Sequence, residues 1–358
     1  SDIKTVNVFL VGVGLIGGTL IKQLNKQKSY LRTSHALDIN IAGICNSKKM
    51  YFNEDGISLQ NYRELLDTKG EPMQIKSFVE KMQHMNLPQT VFADCTSSES
   101  IVKFYPEIME HSISIVTPNK IANSSSYDNY IKLQNIARKR NIRFMYETNV
   151  GAGLPVITTL KDLMGSGDRI IRIEAVLSGT LSYIFNTFKE GRNFDEIVRE
   201  AQDKGYTEPD PRVDLSGKDV ARKLLILARE TGLALENEDI NIEQILPPSC
   251  LKARNVEQFF TALKKSNQVF EERRKKAEQK NKVLRFIASL ENDKATIRLA
   301  EVDSSHPFYN LAGSENIISF TTERYHPSPL VVKGPGAGAE VTAAGVFAEI
   351  ISIGKYFE

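Results

Sequence analysis

Hydrophobic and polar positions follow one rhythm up to Tyr146 and another beyond it. Val6 to Val11 (VNVFLV) is a short apolar run interrupted only by Asn7, as expected of a strand buried on both faces of a parallel sheet. A glycine cluster, GVGLIG, separates it from TLIKQLNKQ, whose apolar residues recur at helical spacing. The alternation then repeats: INIAGICN ending at Asn46, a charged helical stretch over 61 to 85, TVFAD before Cys95, and SISIV before Thr117. A helix over Tyr127 to Arg140 and a strand over Ile142 to Tyr146 close the series. Strands alternating with helices predict a doubly wound α/β domain.

Glycines and Pro155 in ETNVGAGLPVI mark a boundary, and a helix to about Met164 follows. After it come a strand, RIIRIEAVL, a turn, SGT, and two helices, LSYIFNTFKEG and FDEIVREAQDKG. A charged helical segment runs from Val256 to Lys280. KVLRFIASL and KATIRLAEV, joined by ENDK, read as an antiparallel hairpin, and NIISFTT and PLVVKG add two strands. Runs of strands set apart from helices predict an α+β domain on a mixed sheet. The last helix, EVTAAGVFAEIISIGK, carries small residues suited to tight packing against the first domain. The expected division is residues 1–150, completed by 337–358, and residues 151–336.

The turn after the first strand changes this picture from fold to chemistry. Strand, then Gly12, Val13, Gly14, Leu15, Ile16 and Gly17, then helix is the context in which a GxGxxG turn cradles a pyrophosphate, giving a Rossmann-type nucleotide-binding domain. The alternative is a glycine-rich turn that binds nothing. At the end of the second strand an acid would grip the ribose hydroxyls of NAD, but Asn46 and Ser47 stand there, followed by Lys48 and Lys49. Neutral donors and cations suit the extra phosphate of NADP, with NAD also possible; alternatively the lysines only begin a solvated helix. Ligands of parallel sheets lie outside the carboxyl ends of the strands, which places Thr96, Ser97 and Lys120 where nicotinamide and substrate meet. Cys95 at the same edge reads as a thiol nucleophile or, with no histidine placed to activate it, as a small buried hydrophobe.

Composition narrows the partners. Forty-six basic and 44 acidic side chains in 358 residues leave a net charge of +2, no field for nucleic acid or an anionic membrane. No apolar run approaches the ~20 residues that cross a bilayer. Three scattered cysteines argue against a disulfide framework and for a reducing, cytoplasmic setting. A small-molecule ligand is the expectation.

GYTEPDPRVDLSGKDVARK, Gly205 to Lys223, concentrates Glu208, Asp210, Asp214 and Asp219 with Arg212, Lys218, Arg222 and Lys223 around two prolines. Pro209 and Pro211 predict a stiff loop, and a helix is expected from Ser216 or Gly217. Asp219 and Lys223 are four apart and share one face of that helix. Alone, the stretch also reads as a solvated loop with an ordinary ion pair.

Taken together, GVGLIGG, the Thr-Pro-Asn-Lys of 117–120, NVGAGLP, LSGTLSYIFN, GYTEPDPRVDLSGKDVARK and GPGAGAEVTAAGV resemble the homoserine dehydrogenases, nearest to the dehydrogenase portion of bifunctional aspartokinases. The resemblance spans essentially the whole chain. It implies NAD(P)-dependent interconversion of L-homoserine and L-aspartate 4-semialdehyde in threonine and methionine biosynthesis, and a homodimer formed through the second domain's sheet. It also implies a fused N-terminal aspartokinase ahead of Ser1. Position by position, it implies that Lys223 moves the proton, that Glu208 and Asp219 bind homoserine with Asp214 in support, and that Lys120 lies near nicotinamide and substrate. Gly14, Leu15, Thr96, Gly205 and Gly338 match cofactor contacts. Glu147, Val150, Ala152 and Leu154 match positions holding a structural Na+ or K+.

The chemistry agrees with those roles. Hydride loss from a carbinol carbon requires a group that takes the hydroxyl proton, and a lysine can serve in both directions. Carboxylates suit the substrate's α-ammonium and a lysine its α-carboxylate. Thr180 in the SGT turn offers a hydroxyl to substrate, or else caps the following helix. Two other functions stay open at this point: a dehydrogenase of another amino-acid aldehyde, and a non-catalytic sensor of NADP.

Overall fold

The computed structural model describes residues 2–356, which divide into two compact units. The first comprises the chain up to Gly153 together with the residues from Ala337 onward; the second runs from Leu154 to Gly336.

In the first unit β1 (Lys4–Val11) turns through the glycines into α1 (Leu15–His35), followed by β2 (Leu37–Cys45), β3 (Lys49–Phe52), α2 (Tyr62–Lys69), β4 (Glu71–Pro72) and α3 (Ile75–Met85). Next come β5 (Thr90–Asp94), α4 (Glu99–Val102), α5 (Tyr105–Glu110), β6 (Ser114–Val116), α6 (Ile121–Ser124), α7 (Tyr127–Arg140) and β7 (Phe144–Met145). The sheet order is β4-β3-β2-β1-β5-β6-β7. β2, β1, β5, β6 and β7 are parallel, and β3 and β4 add an antiparallel edge. The chain winds outward from β1 to β2 on one side and resumes at β5 on the other, so the order reverses between β1 and β5. In open α/β sheets the ligand crevice lies at such a reversal, outside the strands' carboxyl ends.

Three local departures from the expected pattern have identifiable causes. Lys48 and Lys49 do not begin a helix: the Asn46 side-chain oxygen accepts from both their backbone N–H groups, at 2.9 and 2.7 Å, and turns the chain back as β3. The helical stretch over 61–85 is broken where extended Gly70 and Pro72 carry the chain through β4. The strand expected over Ile142–Tyr146 shrinks to Phe144–Met145, since Ile142 N–H is spent on closing α7 through the Ala137 carbonyl.

The second unit contains α8 (Ile157–Gly165), β8 (Ile170–Val176), α9 (Gly179–Thr187), α10 (Phe194–Asp203), α11 (Pro211–Leu215), α12 (Lys218–Glu230), β9 (Asn241–Ile242) and α13 (Pro248–Leu251). It continues with α14 (Val256–Lys265), α15 (Asn267–Gln279), β10 (Val283–Glu291), β11 (Lys294–Val302), β12 (Glu315–Thr322) and β13 (Leu330–Pro335). Its sheet, β13-β12-β8-β10-β11-β9, is antiparallel except where β9 joins β11 in parallel. The β10–β11 hairpin closes through Asn292 and Asp293, both at positive φ (53° and 62°), as a two-residue turn matched to strand twist requires. The helical segment over 256–280 divides at Ser266, where Asn267 is tied to Asp195 of α10 through both its side-chain oxygen and nitrogen.

α16 (Ala339–Tyr356) returns to the first unit, where it packs along α1. Ala343, Val346, Phe347, Ile350 and Ile353 join Val6, Leu20, Leu24 and Leu37 in one core. Each fully buried side chain of this size contributes about 1.5–3 kcal/mol, so the helix is an integral part of this unit. Gly354 makes its close approach possible: a Cβ there would lie 2.7 Å from Val6 and 2.8 Å from Leu37.

Candidate active site

Each unit carries a cluster of its own. In the first, Gly12 sits at φ +91°, and a Cβ on it would strike the Thr96 methyl at 2.9 Å and the Cys95 carbonyl at 3.0 Å. Gly17 packs so tightly under the turn that a Cβ would lie 1.8 Å from the Gly12 oxygen. Gly14 differs: nothing lies within 4 Å of where its Cβ would be. It caps α1 with no side-chain hydrogen bond and no acidic residue in the first turn, and Leu15 beside it is 78% exposed. An open helix N-terminus of 21 residues, reached over a glycine with free space above it, fits a dinucleotide pyrophosphate.

Around this turn the structure sorts the expected contacts. Val13 is buried, Ile16 is half-buried against the core, and neither offers a polar side chain. The Asn46 side-chain oxygen is occupied by the turn into β3, while Ser47 and Lys48 are exposed. Lys49 is drawn away, its ammonium donating to the Asp67 carbonyl of α2. Arg63, a cation that motif spacing does not reveal, lies against the glycine turn instead: its guanidinium would be 3.0 Å from a Cβ on Gly18.

At the ends of β5 and β6, Thr96, Ser97 and Lys120 are half-buried or exposed at the same edge of the sheet, with Lys120 capping α6. Cys95 is no nucleophile in waiting. Burial and the Asp94 charge push its thiol well up, and no base is bonded to it. Glu147 opens a single 3-10 turn, Val150 is buried and Ala152 adopts φ +52°. The Glu147 and Leu154 carbonyls accept backbone hydrogen bonds from Val150 and Val156. Gly338 (φ +124°) stands directly before α16.

In the second unit the prolines do more than stiffen the loop. Pro211 occupies the first turn of α11, where its missing N–H costs nothing, and the Asp210 side chain caps that helix through Arg212 N–H at 3.0 Å. Arg212 returns a forked contact to both Asp210 oxygens and donates to the Ala253 carbonyl at 2.8 Å. Asp210 and Arg212 therefore fasten the loop. Gly217, at φ +74°, turns the chain into α12.

That turn brings the remaining groups together. Lys223 Nζ lies 2.9 Å from an Asp219 oxygen and donates to the Leu177 carbonyl at 2.9 Å; its side chain is 12% exposed, against 53% for Asp219. Glu208 N–H donates to Asp214 at 2.9 Å. Burial raises the Asp214 carboxyl above its ordinary range, and the charges of Glu208 and Asp219 raise it further. Asp219 thus pairs with the amine, and its charge and that of Glu208 bear on Asp214. Thr180 lies inside α9, whose cap is Ser178, and its hydroxyl is spent on the Tyr206 carbonyl, which ties α9 to the loop. Gly205 (φ +76°) has open space where a Cβ would be. Among the described residues no group of three His, Cys, Asp or Glu side chains is disposed to hold a metal.

A doubly wound sheet with an open glycine turn and a mixed-sheet unit bearing a lysine–carboxylate pair thus occur in one chain. The chain belongs to the homoserine dehydrogenase family. The family's NAD-binding-domain model matches residues 12–147 and its homoserine dehydrogenase model residues 155–351. The chain is 44% identical, over 98% of its length, to bifunctional aspartokinase/homoserine dehydrogenase 2 (chloroplastic) of Arabidopsis thaliana, of which it spans only 39%. It is 41% identical to the homoserine dehydrogenase of Schizosaccharomyces pombe, across 97% of this chain and 95% of that protein. Among solved structures, a Candida auris protein of unknown function superposes with TM-score 0.91 at 36% identity, covering 99% of each chain. A hyperthermophilic archaeal homoserine dehydrogenase solved with NADPH shares the fold, at TM-score 0.74 and 23% identity over 99% of each chain.

Proposed function

We propose that the chain interconverts L-homoserine and L-aspartate 4-semialdehyde with a nicotinamide cofactor, as a step of threonine and methionine biosynthesis. The observation that carries this reading is Lys223, whose amine is fixed between the Leu177 carbonyl and Asp219. An ammonium has three N–H donors. Two are directed at those acceptors, leaving the third for a substrate oxygen.

The cofactor, when bound, takes hydride from the carbinol carbon or returns it to the aldehyde. In reduction Lys223 delivers the proton that turns the developing alkoxide into the hydroxyl; in oxidation it receives that proton. Glu208 and Asp219, with Asp214 behind Glu208, face the substrate's α-ammonium. Their concentrated negative charge rejects substrates that bring a further acid there.

Within the first unit, Gly12 to Gly17 and the α1 N-terminus hold the pyrophosphate, with Thr96 and Ser97 at the nicotinamide edge and Asn46 and Ser47 at the ribose. NADP is the preferred form, its extra phosphate meeting Lys48 and Arg63, since Lys49 is engaged elsewhere.

Reduced nicotinamide should appear when the protein is mixed with L-homoserine and NADP+, and more slowly with NAD+. Tight cofactor binding with no turnover would leave a sensor instead, and turnover only with another amino alcohol would move the substrate. Three free thiols fit a cytoplasmic setting, and no helix among the described residues is long and apolar enough to cross a membrane. A homodimer through the second unit's sheet is part of the same proposal; sedimentation equilibrium giving a monomer would remove it.

A further inference from the structure

One fully buried acid in the first unit has no place in the scheme above. Asp94 ends β5, is 0% exposed, and receives four hydrogen bonds. Thr96 donates to Oδ1 through its backbone N–H at 2.9 Å and its hydroxyl at 2.7 Å. Tyr105 Oη and Asn119 Nδ2, the latter at 3.1 Å, donate to Oδ2. The Asp94 carbonyl accepts the Thr117 hydroxyl at 2.7 Å, and the Thr117 oxygen accepts Asn119 N–H at 2.9 Å. One carboxylate therefore fastens both turns of the crevice, that bearing Thr96 and that leading to Lys120.

The donor count bears on charge. Two of the four partners are N–H groups that can only donate and two are hydroxyls, Tyr105 Oη also reaching the Thr117 hydroxyl oxygen at 3.2 Å; an anion accepts from all four at once. Burial pushes the carboxyl up, and the four hydrogen bonds oppose it. No Lys, Arg or His among the described residues is paired with it. Cys45, Cys95 and Tyr105 feel it: burial pushes all three up, Cys45 to about 12, and the Asp94 charge adds to the rise, so all are neutral near pH 7. A lone negative charge thus lies one hydrogen bond from Thr96, whose methyl abuts Gly12 of the dinucleotide turn.

We infer that Asp94 is a positioning residue whose anion sets the crevice to favour the oxidised nicotinamide, which carries a positive charge the reduced ring lacks. The inference rests on the cofactor assignment proposed above. In the low-dielectric surroundings of a buried carboxylate, one unit charge shifts the relative affinity of the two redox forms about tenfold.

The test measures equilibrium binding of NADPH by its fluorescence, and of NADP+ by competition, in wild type and Asp94→Asn. The ratio of NADP+ to NADPH affinity should fall about tenfold. General loosening of the turns would weaken both forms alike, so an unchanged ratio overturns the charge role. Wild-type protein that binds neither form overturns this inference and the cofactor assignment together. Should Asp94→Asn not fold, Tyr105→Phe decides. Losing that donor raises the carboxyl pKa, so the ratio falls as pH is lowered from 9 to 6.5 while wild type stays flat. A Tyr105→Phe ratio that matches wild type throughout overturns the proposal.

Discussion

Replacing Lys223 by alanine separates chemistry from folding. The substitution removes a donor 2.9 Å from the Leu177 carbonyl and an ion pair with Asp219. Because the Asp219 side chain is 53% exposed, screening holds that pair below about 1 kcal/mol. The hydrogen bond adds a net ~1 kcal/mol. Together they cost about 2 kcal/mol at most, a few degrees of melting temperature. A positioned general acid is worth roughly 10²–10⁴ in rate, or about 3–5 kcal/mol of barrier. The expected result is therefore a fall in kcat of at least about 100-fold, with NADPH affinity unchanged, since the turn assigned to the cofactor belongs to the other unit. The assay follows NADPH oxidation by L-aspartate 4-semialdehyde at saturating cofactor, with thermal melting and NADPH fluorescence in parallel. Turnover within tenfold of wild type would refute the assignment of the proton to this amine.

The glycine turn yields a paired expectation. Gly14→Ala should leave urea stability within about 0.5 kcal/mol, because its Cβ meets nothing, while weakening NADPH binding at least about tenfold by blocking the pyrophosphate. Gly17→Ala, whose Cβ would lie 1.8 Å from the Gly12 oxygen, should instead destabilise the fold by about 3 kcal/mol or more in the same titration. For substrate binding, Asp214 sets a pH dependence. Its carboxyl is raised by burial and by Glu208 and Asp219, so it takes up a proton earlier than an ordinary carboxyl as pH falls. The KM for homoserine should accordingly rise on acidification before the ordinary carboxylate range near 3.8 is reached, and Asp214→Asn should flatten that rise. A wild-type KM that is flat over this interval would contradict it.

The first unit was legible because its chemistry is written in local periodicity. β1, Gly12, Gly14 and Gly17 follow one another without interruption, and any sequence that makes a strand, a tight turn and a helix there must look much like this one. The helix register of Asp219 and Lys223 was equally local. Whatever depended on partners distant in sequence was not legible. Lys49 seemed free for a phosphate until α2 supplied the Asp67 carbonyl, and Arg63 gained its place beside Gly18 by the folding of that same helix. Thr180 looked available for substrate, yet Tyr206, 26 residues on, claims its hydroxyl. Asp94 carried no motif at all; its four donors come from three separate stretches of chain.

Because α16 lies beyond Gly336 in the chain yet belongs to the core of β1 and α1, synthesis of the first unit starts before that of the second and is completed after it. The unit from Leu154 to Gly336 is contiguous and can consolidate while Leu20, Leu24 and Leu37 still await their covering helix. A newly made chain therefore passes through an interval in which its second unit is finished and its first still shows an oily seam to passing chaperones.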